Sequence, residues 1–348
     1  MKWFVFFLSV QVLAWAISVN VPPENVDPYC PPPWFTGPLI TPSAHVVPKG
    51  YVNVEPYFFY ILRTGTYDNH WKGISTPLFT RARFLIPTYI GLTSWSDILI
   101  TPSATWNGTE GVSTLNFNDL SIQLDFQLIE STQTNAYPAL KVYVGEVFPT
   151  GQFEKLDPER LETDRGGEGS FRTRIGAIVG HLVEFSGCHW LSWRLNTFIS
   201  IPSHVKVHGL NAYGGAPNTK ATVKPGIGGG VQLGLEYNLT RHWALANDVE
   251  ILYESRTKFS GFAGTHPDGT PALLGNPTTW QFSLAPAFEY NFNESWGLLA
   301  GAFFSFAGRN TPRFASGSIA INYFGPLKKG PRHAYRFSGG VGVAAGGG

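Results

Sequence analysis

The chain has 348 residues, of which 43% are hydrophobic and 15% aromatic, with 39 Gly and a single Met, a balance that fits β-structure with many turns. Charged residues make up only 14% and the formal net charge is +1, so the basic surface that nucleic acid requires is missing. After the first residues no continuous apolar run approaches the roughly 18–20 residues of a membrane-spanning helix, so crossing by helices is not expected.

Residues 1–18 read as a secretory signal: Lys2 supplies charge, Trp3 to Leu13 an apolar run, and Ala14, Ala16 and Ser18 a small-residue cleavage site. The expected product is exported and carries a net charge near zero. Residues 19–49 form a Pro-rich arm containing Pro22, Pro23, Pro31, Pro32, Pro33, Pro38, Pro42 and Pro48. Proline lacks the ladder donor, so this arm cannot be a central strand.

Twelve strands are expected after it, near 50–63, 78–90, 94–106, 117–130, 139–148, 171–185, 189–202, 226–239, 242–256, 278–292, 295–308 and 313–324. Nearly all have at least the roughly 9–11 residues of a tilted membrane crossing. Connections at 91–93, 186–188, 240–241 and 293–294 are short, whereas those at 64–77, 107–116, 149–170, 203–225 and 257–277 are long. Trp190, Trp243 and Trp296 stand 53 residues apart, each just after a short turn, and Trp95 occupies the same kind of position. Short turns on one side, long loops on the other and an aromatic at the short end describe a transmembrane β-barrel with an outward interfacial girdle. Period-2 alternation agrees. Leu120, Ile122, Leu124, Phe126 and Leu128 oppose Ser121, Gln123, Asp125 and Gln127, and the strands near 242–256 and 278–292 repeat the pattern.

The expected fold class is therefore all-β: a transmembrane antiparallel up-and-down barrel of about twelve strands, with long extracellular loops and short periplasmic turns. Its divisions are a signal peptide at 1–18, a Pro-rich periplasmic arm or plug at 19–49, the barrel at 50–324, and a basic Gly-rich tail at 325–348. The segment Ser316–Phe324 reads as the closing strand. The location implied is the outer membrane of a Gram-negative bacterium, with outer-membrane lipid, the barrel-assembly machinery and a small-molecule solute as partners; oligomeric state is not encoded.

Alternation sends Arg81, Arg83, Arg172, Arg174 and Arg194 inward on one side, and Glu236, Asp248, Glu250, Glu254 and Glu289 inward on the other. Two readings stand side by side: a transverse field across a narrow pore that selects among solutes, and a lumen closed by cross-barrel ion pairs. Tyr51, Tyr57 and Phe198 are expected as lumen aromatics. The arm is expected to pack under the periplasmic rim, the alternative being a plug that brings Trp34 and Phe35 into the lumen. Cys30 and Cys188, the only cysteines, fall on the periplasmic side, where an oxidising compartment favours a disulfide between arm and rim. His204 and His208 have no third ligand in the sequence around them, so no metal and no cofactor are expected. There is no Gly-x-Ser-x-Gly elbow, and Ser186 and His189 flank a periplasmic turn, so an enzyme is not expected.

The motifs Trp34-Phe-Thr-Gly-Pro-Leu-Ile-Thr-Pro-Ser43, Pro48-Lys-Gly-Tyr-Val-Asn-Val-Glu-Pro56 and Val144-Gly-Glu-Val-Phe-Pro-Thr-Gly151 resemble the MetA-pathway phenol-degradation family of outer-membrane proteins. The resemblance covers most of the chain by layout and implies a barrel that passes small hydrophobic or aromatic compounds. It carries no catalytic residues. The expected function is a channel for passive uptake of small solutes; the alternative is a non-transporting surface protein with a closed lumen and partner-binding outer loops.

Overall fold

The computed structural model describes residues 33–131, 137–185 and 187–328; the signal segment, arm residues 19–32 with Cys30, Ser186 and the tail from 329 lie outside the described residues. Its main sheet closes on itself. Four wall strands are each interrupted midway: β1 (Tyr51–Val54) with β2 (Tyr57–Tyr67), β3 (Gly73–Leu85) with β4 (Thr88–Gly91), β5 (Ser96–Thr101) with β6 (Ser103–Thr109), and β7 (Val112–Phe117) with β8 (Leu120–Ile129). β9 (Ala139–Phe148), β10 (Arg172–Phe185) and β11 (His189–Pro202) follow without interruption. Three short strands, β12 (Val205–His208), β13 (Lys220–Lys224) and β16 (Lys258–Phe262), form a separate outer sheet. The wall is completed by β14 (Gly228–Asn238), β15 (Trp243–Glu254), β17 (Thr279–Asn291), β18 (Trp296–Arg309) and β19 (Thr311–Pro326). Counted by wall position, these segments make a twelve-stranded antiparallel barrel among the described residues, sealed where β19 pairs with both β1 and β2.

Three of the four interruptions share a cause. Pro56, Pro87 and Pro102 sit at the same level on three neighbouring wall strands, where each lacks the amide hydrogen that would continue the ladder. Their carbonyls still accept: Glu55 N donates to Pro87 O at 3.1 Å, and Ile86 N to Pro102 O at 3.1 Å.

Outward positions are apolar as alternation requires. Phe84, Ile175, Ile199, Val231, Phe306 and Ile319 are all exposed on the barrel's outside, a surface that water would not tolerate and lipid covers. Trp243 and Trp296 lie exposed near the short turns, with ring centroids 4.7 Å from Tyr290 and Tyr323 respectively. Trp190 departs from the expected girdle. It is buried and points inward, while its neighbour His189 stacks outward on Tyr237. Its position one residue later in its hairpin reverses the face, because side chains alternate with period two.

Two stretches expected as long loops are mostly strand. β2 and β3 continue to residues 67 and 73, and 107–116 is a hairpin whose turn residues Glu110 and Gly111 both have positive φ, at 47° and 84°. Asn107, Thr114 and Asn116 form the hairpin's inner, polar face, where they bond Thr163.

Candidate functional site

The described part of the arm runs inside the barrel rather than beneath its rim. Pro33 through Val47 are buried except for Trp34 and His45, which are partly so. Near the short turns the Arg241 guanidinium lies 4.3 Å from the Trp34 ring, and Phe35 packs on Trp190 and Ala244. From there the arm rises to mid-lumen and returns to the start of β1.

Side chains of the wall hold its backbone. Thr36 N donates to Glu289 Oε2 at 2.9 Å and Thr36 Oγ1 contacts Asn291 Oδ1 at 2.8 Å. Asp248 accepts from Ile40 N (3.1 Å), Thr41 N (2.9 Å) and Thr41 Oγ1 (2.6 Å). Val46 N donates to Gln127 Oε1 at 2.8 Å, and Val47 N to Asp97 Oδ2 at 2.6 Å. A non-strand segment in a barrel interior must find partners for its amides. Here carboxylates and amides of the wall supply them.

The wall is also shaped to receive the arm. A Cβ on Gly234 would lie 2.7 Å from Pro38 Cγ, and one on Gly180 would lie 2.8 Å from Ala44 Cβ. Inward alanines at 246, 285, 287 and 320 leave room for Leu39 and Ile40, which are fully buried against Tyr57, Phe59, Leu85, Leu299 and Phe303. These two apolar side chains seal the lumen centre.

This arrangement revises the expected charge layout. Asp248 and Glu289 do not face an open pore; they bind the arm. Arg194 and Glu236 bond directly to each other on adjacent strands, and Ser192 Oγ adds a donor to Glu236 at 3.1 Å. A second buried pair, Lys141 Nζ to Asp125 Oδ2 at 3.1 Å, lies near Asp97 at the arm's exit. Buried charges need such partners because desolvation is costly.

Above the seal lies a cavity of about 450 Å³, within the size range of small-molecule sites. It extends to the outer ends of β17, β18 and β19 at Thr279, Asn310 and Thr311. Phe59, Ile61, Phe79, Phe198, Leu252, Phe303 and Phe314 give it apolar surface, and Arg63, Arg81, Arg83, Arg165, Arg172 and Arg174 give it charge, with Glu162, Glu168, Glu250 and Glu254. Of the sequence-derived lumen set, Arg81, Arg83, Arg172, Arg174 and Glu250 meet here, while Arg194, Glu236, Asp248 and Glu289 lie lower, around the arm. Phe198 lines the cavity, Tyr57 belongs to the seal, and Tyr51 stacks on Phe324 at the closure of the wall.

One side of the cavity is built by residues 149–171, an outer loop folded inward against the β6–β7 hairpin. Asn107 Nδ2 and Asn116 Nδ2 donate to Thr163 O at 3.0 and 2.7 Å, and Asp119 accepts from Gly151 N and Glu168 N, both at 2.9 Å. Glu168 bonds Arg165 and, at 3.0 Å, Arg172; Arg172 also reaches Glu254 at 3.5 Å. Burial alone would raise the Glu168 carboxyl, but the two guanidiniums bring it below the usual carboxylate range. Loop residues Arg165 and Glu168 escaped sequence reading, since no periodicity marks a loop that turns inward. Arg63, Asp97 and Lys141 do lie on inward positions of strands and were legible in principle.

The loop also covers a gap in the wall. Among the described residues β7 pairs only with β6, because β9 ends at Phe148, level with the start of β8. Leu115 and Phe117 on this strand are 66% and 77% exposed. Gly151, Gly166 and Gly167 pack together beside Phe117 O and Asp119 on the inner side. The closure here rests on loop contacts instead of a strand ladder.

Cys188, in the β10–β11 turn with φ of 65°, is not a free thiol; Cys30 lies outside the described residues. His208 Nδ1 stands 3.2 Å from Glu154 Oε2 on the outer sheet's edge, and no group of three candidate metal ligands occurs among the described residues.

No protein-family profile and no curated protein matches the sequence. Among solved structures the chain is similar to the COG4313 outer membrane channel from Pseudomonas putida F1, at 13% identity and TM-score 0.62, over 81% of this chain and 98% of that one. The translocator domain of the autotransporter NalP from Neisseria meningitidis gives TM-score 0.42 at 10% identity, over 78% and 87% of the two chains. A mutant of the TodX monoaromatic hydrocarbon channel gives 0.37 at 11%, over 80% and 91%. The first of these likenesses bears on fold: the chain has the twelve-stranded architecture of an outer-membrane barrel.

Proposed function

We propose that this protein is an outer-membrane channel that takes up small solutes, hydrophobic and aromatic ones included, through a sealed rather than an open lumen. The observation that carries the reading is the cavity of about 450 Å³, floored by Phe59 and Phe303, which pack on the buried Leu39 and Ile40 of the arm, and open toward the outer ends of β17 to β19. A solute held there would displace water from Phe59, Phe303 and Phe314, a favourable exchange for an apolar body. Passage to the periplasm then requires the arm to move. The arm is attached by hydrogen bonds at discrete points and not by strand pairing, which makes it the part of the lumen suited to that motion. The resemblance to the MetA-pathway phenol-degradation family supports this solute class, and the likeness to the COG4313 outer membrane channel supports the channel reading.

The filled lumen favours a second reading, a non-transporting surface protein that presents the outer sheet of β12, β13 and β16 to a partner. Liposome swelling with a panel of neutral, charged and aromatic solutes separates the two. Transport predicts solute-dependent swelling that increases when residues 33–47 are deleted. No swelling from either form would leave the surface-protein reading.

A further inference from the structure

We infer that the lumen cavity selects apolar solutes that carry an anionic head, with a carboxylate seated against the arginine wall and the hydrocarbon body against the neighbouring aromatics. This deepens the proposed function and rests on the cavity being the solute site.

Registers across the wall place the two chemistries side by side. On β2 and β3, Phe59 pairs with Arg83, Ile61 with Arg81, and Arg63 with Phe79, so apolar and guanidinium groups alternate within one inward patch. Arg63 Cζ lies 5.1 Å and Arg81 Cζ 5.9 Å from the Phe79 ring centroid. Arg174 adds a further guanidinium from β10, its Cζ 5.9 Å from the Phe198 ring. A ligand meeting either ring meets a positive charge at the same time.

Three of the cavity's four carboxylates have partners of their own, and the fourth, Glu162, lies toward Arg63 and Arg165 but forms no ion pair among the described residues. Glu168 is held by Arg165 and Arg172, Glu254 by Arg172, and Glu250 accepts from Gln232 Nε2 at 2.6 Å. Arg63 and Arg174 have no carboxylate within ion-pair distance among the described residues, and Arg174 Nε is buried with no hydrogen-bond partner. A buried guanidinium nitrogen left without an acceptor is costly, and an incoming carboxylate supplies one with charge assistance. A neutral apolar solute would fill the same volume and leave Arg174 as it is. A cationic one would be repelled.

The test is binding to the full-length barrel in phosphatidylcholine nanodiscs, measured by calorimetry against empty nanodiscs. The probes are octanoate, octanol and octylamine, which share one body, and acetate, which is the head alone. Octanoate should bind at least tenfold more tightly than octanol, octylamine and acetate. Arg174→Gln, which keeps an amide donor but removes the charge and shortens the side chain, should remove most of that preference and leave octanol binding unchanged. Equal affinity for octanoate and octanol would overturn the anionic preference while leaving the apolar channel intact. Tightest binding of octylamine, or acetate binding as well as octanoate, would also overturn it. Failure of all three eight-carbon probes to bind would overturn the solute site itself.

Discussion

Asp248 is the strongest single attachment of the arm, and its removal offers the sharpest test of the sealed lumen. One carboxylate accepts three hydrogen bonds from two consecutive residues, Ile40 and Thr41, beside the side chains that close the centre. Asp248→Ala leaves the amides of Ile40 and Thr41 buried without an acceptor, each costing about 1–3 kcal/mol. The expected penalty on the seated arm is thus about 2–6 kcal/mol, reduced if water enters the space vacated by the side chain. Thr36, Val46 and Val47 keep their own partners, so both flanks stay anchored while the middle loosens. Since about 1.4 kcal/mol is a factor of ten, even the low end should raise the ratio of unsealed to sealed barrels by more than tenfold. Planar-bilayer recording should show longer or more frequent open events, and a cysteine at Leu39 should react faster with a water-soluble maleimide. Asp268→Ala, in an exposed loop turn, serves as the control. Unchanged conductance together with unchanged labelling at position 39 would refute the claim that this carboxylate holds the seal.

Two further outcomes follow from other contacts. The Glu168 carboxyl is held below its ordinary range, so its contribution to loop docking is present above the unfolded value and is lost as pH falls through the folded one. A spin label at the exposed Leu161 should therefore gain mobility as pH is lowered from neutral through the acidic range, and Glu168→Gln should show the mobile spectrum already at neutral pH; a pH-independent spectrum in both proteins would exclude that role for the ion pairs. For the cysteines, we expect Cys188 to be bridged to Cys30. Alkylation of the unfolded protein should label neither residue before reduction and both after it, and labelling without reductant would rule the bridge out.

The barrel was legible in the sequence because lipid and lumen impose alternate demands on successive residues. Period-2 runs such as Leu120 to Leu128, and tryptophans recurring after short turns, fall directly out of that constraint. The inward direction of Arg81, Arg83, Arg172 and Arg174 follows from the same rule. So did the twelve wall strands, to within a few residues at most ends, although the hairpin at 107–116 read as loop because its inner face is polar. Trp190 shows the rule's weak point: a shift of one residue at a turn exchanges inside for outside, and spacing between tryptophans cannot detect it.

What only the tertiary structure decided is which groups meet across the lumen. Alternation sends Asp248 inward but is silent on whether it finds an arginine, water or the amides of a Pro-rich segment some two hundred residues earlier in the chain. The arm has no regular period, since its amides are satisfied by single side chains from distant strands rather than by a ladder. The same holds for Glu168, whose loop carries no sign of turning inward until Asn107, Asn116 and Asp119 are seen to hold it there. A regular wall repeats its physical demands every second residue and writes them locally. Its contents meet those demands once each, at long range, and only the folded barrel brings the partners together.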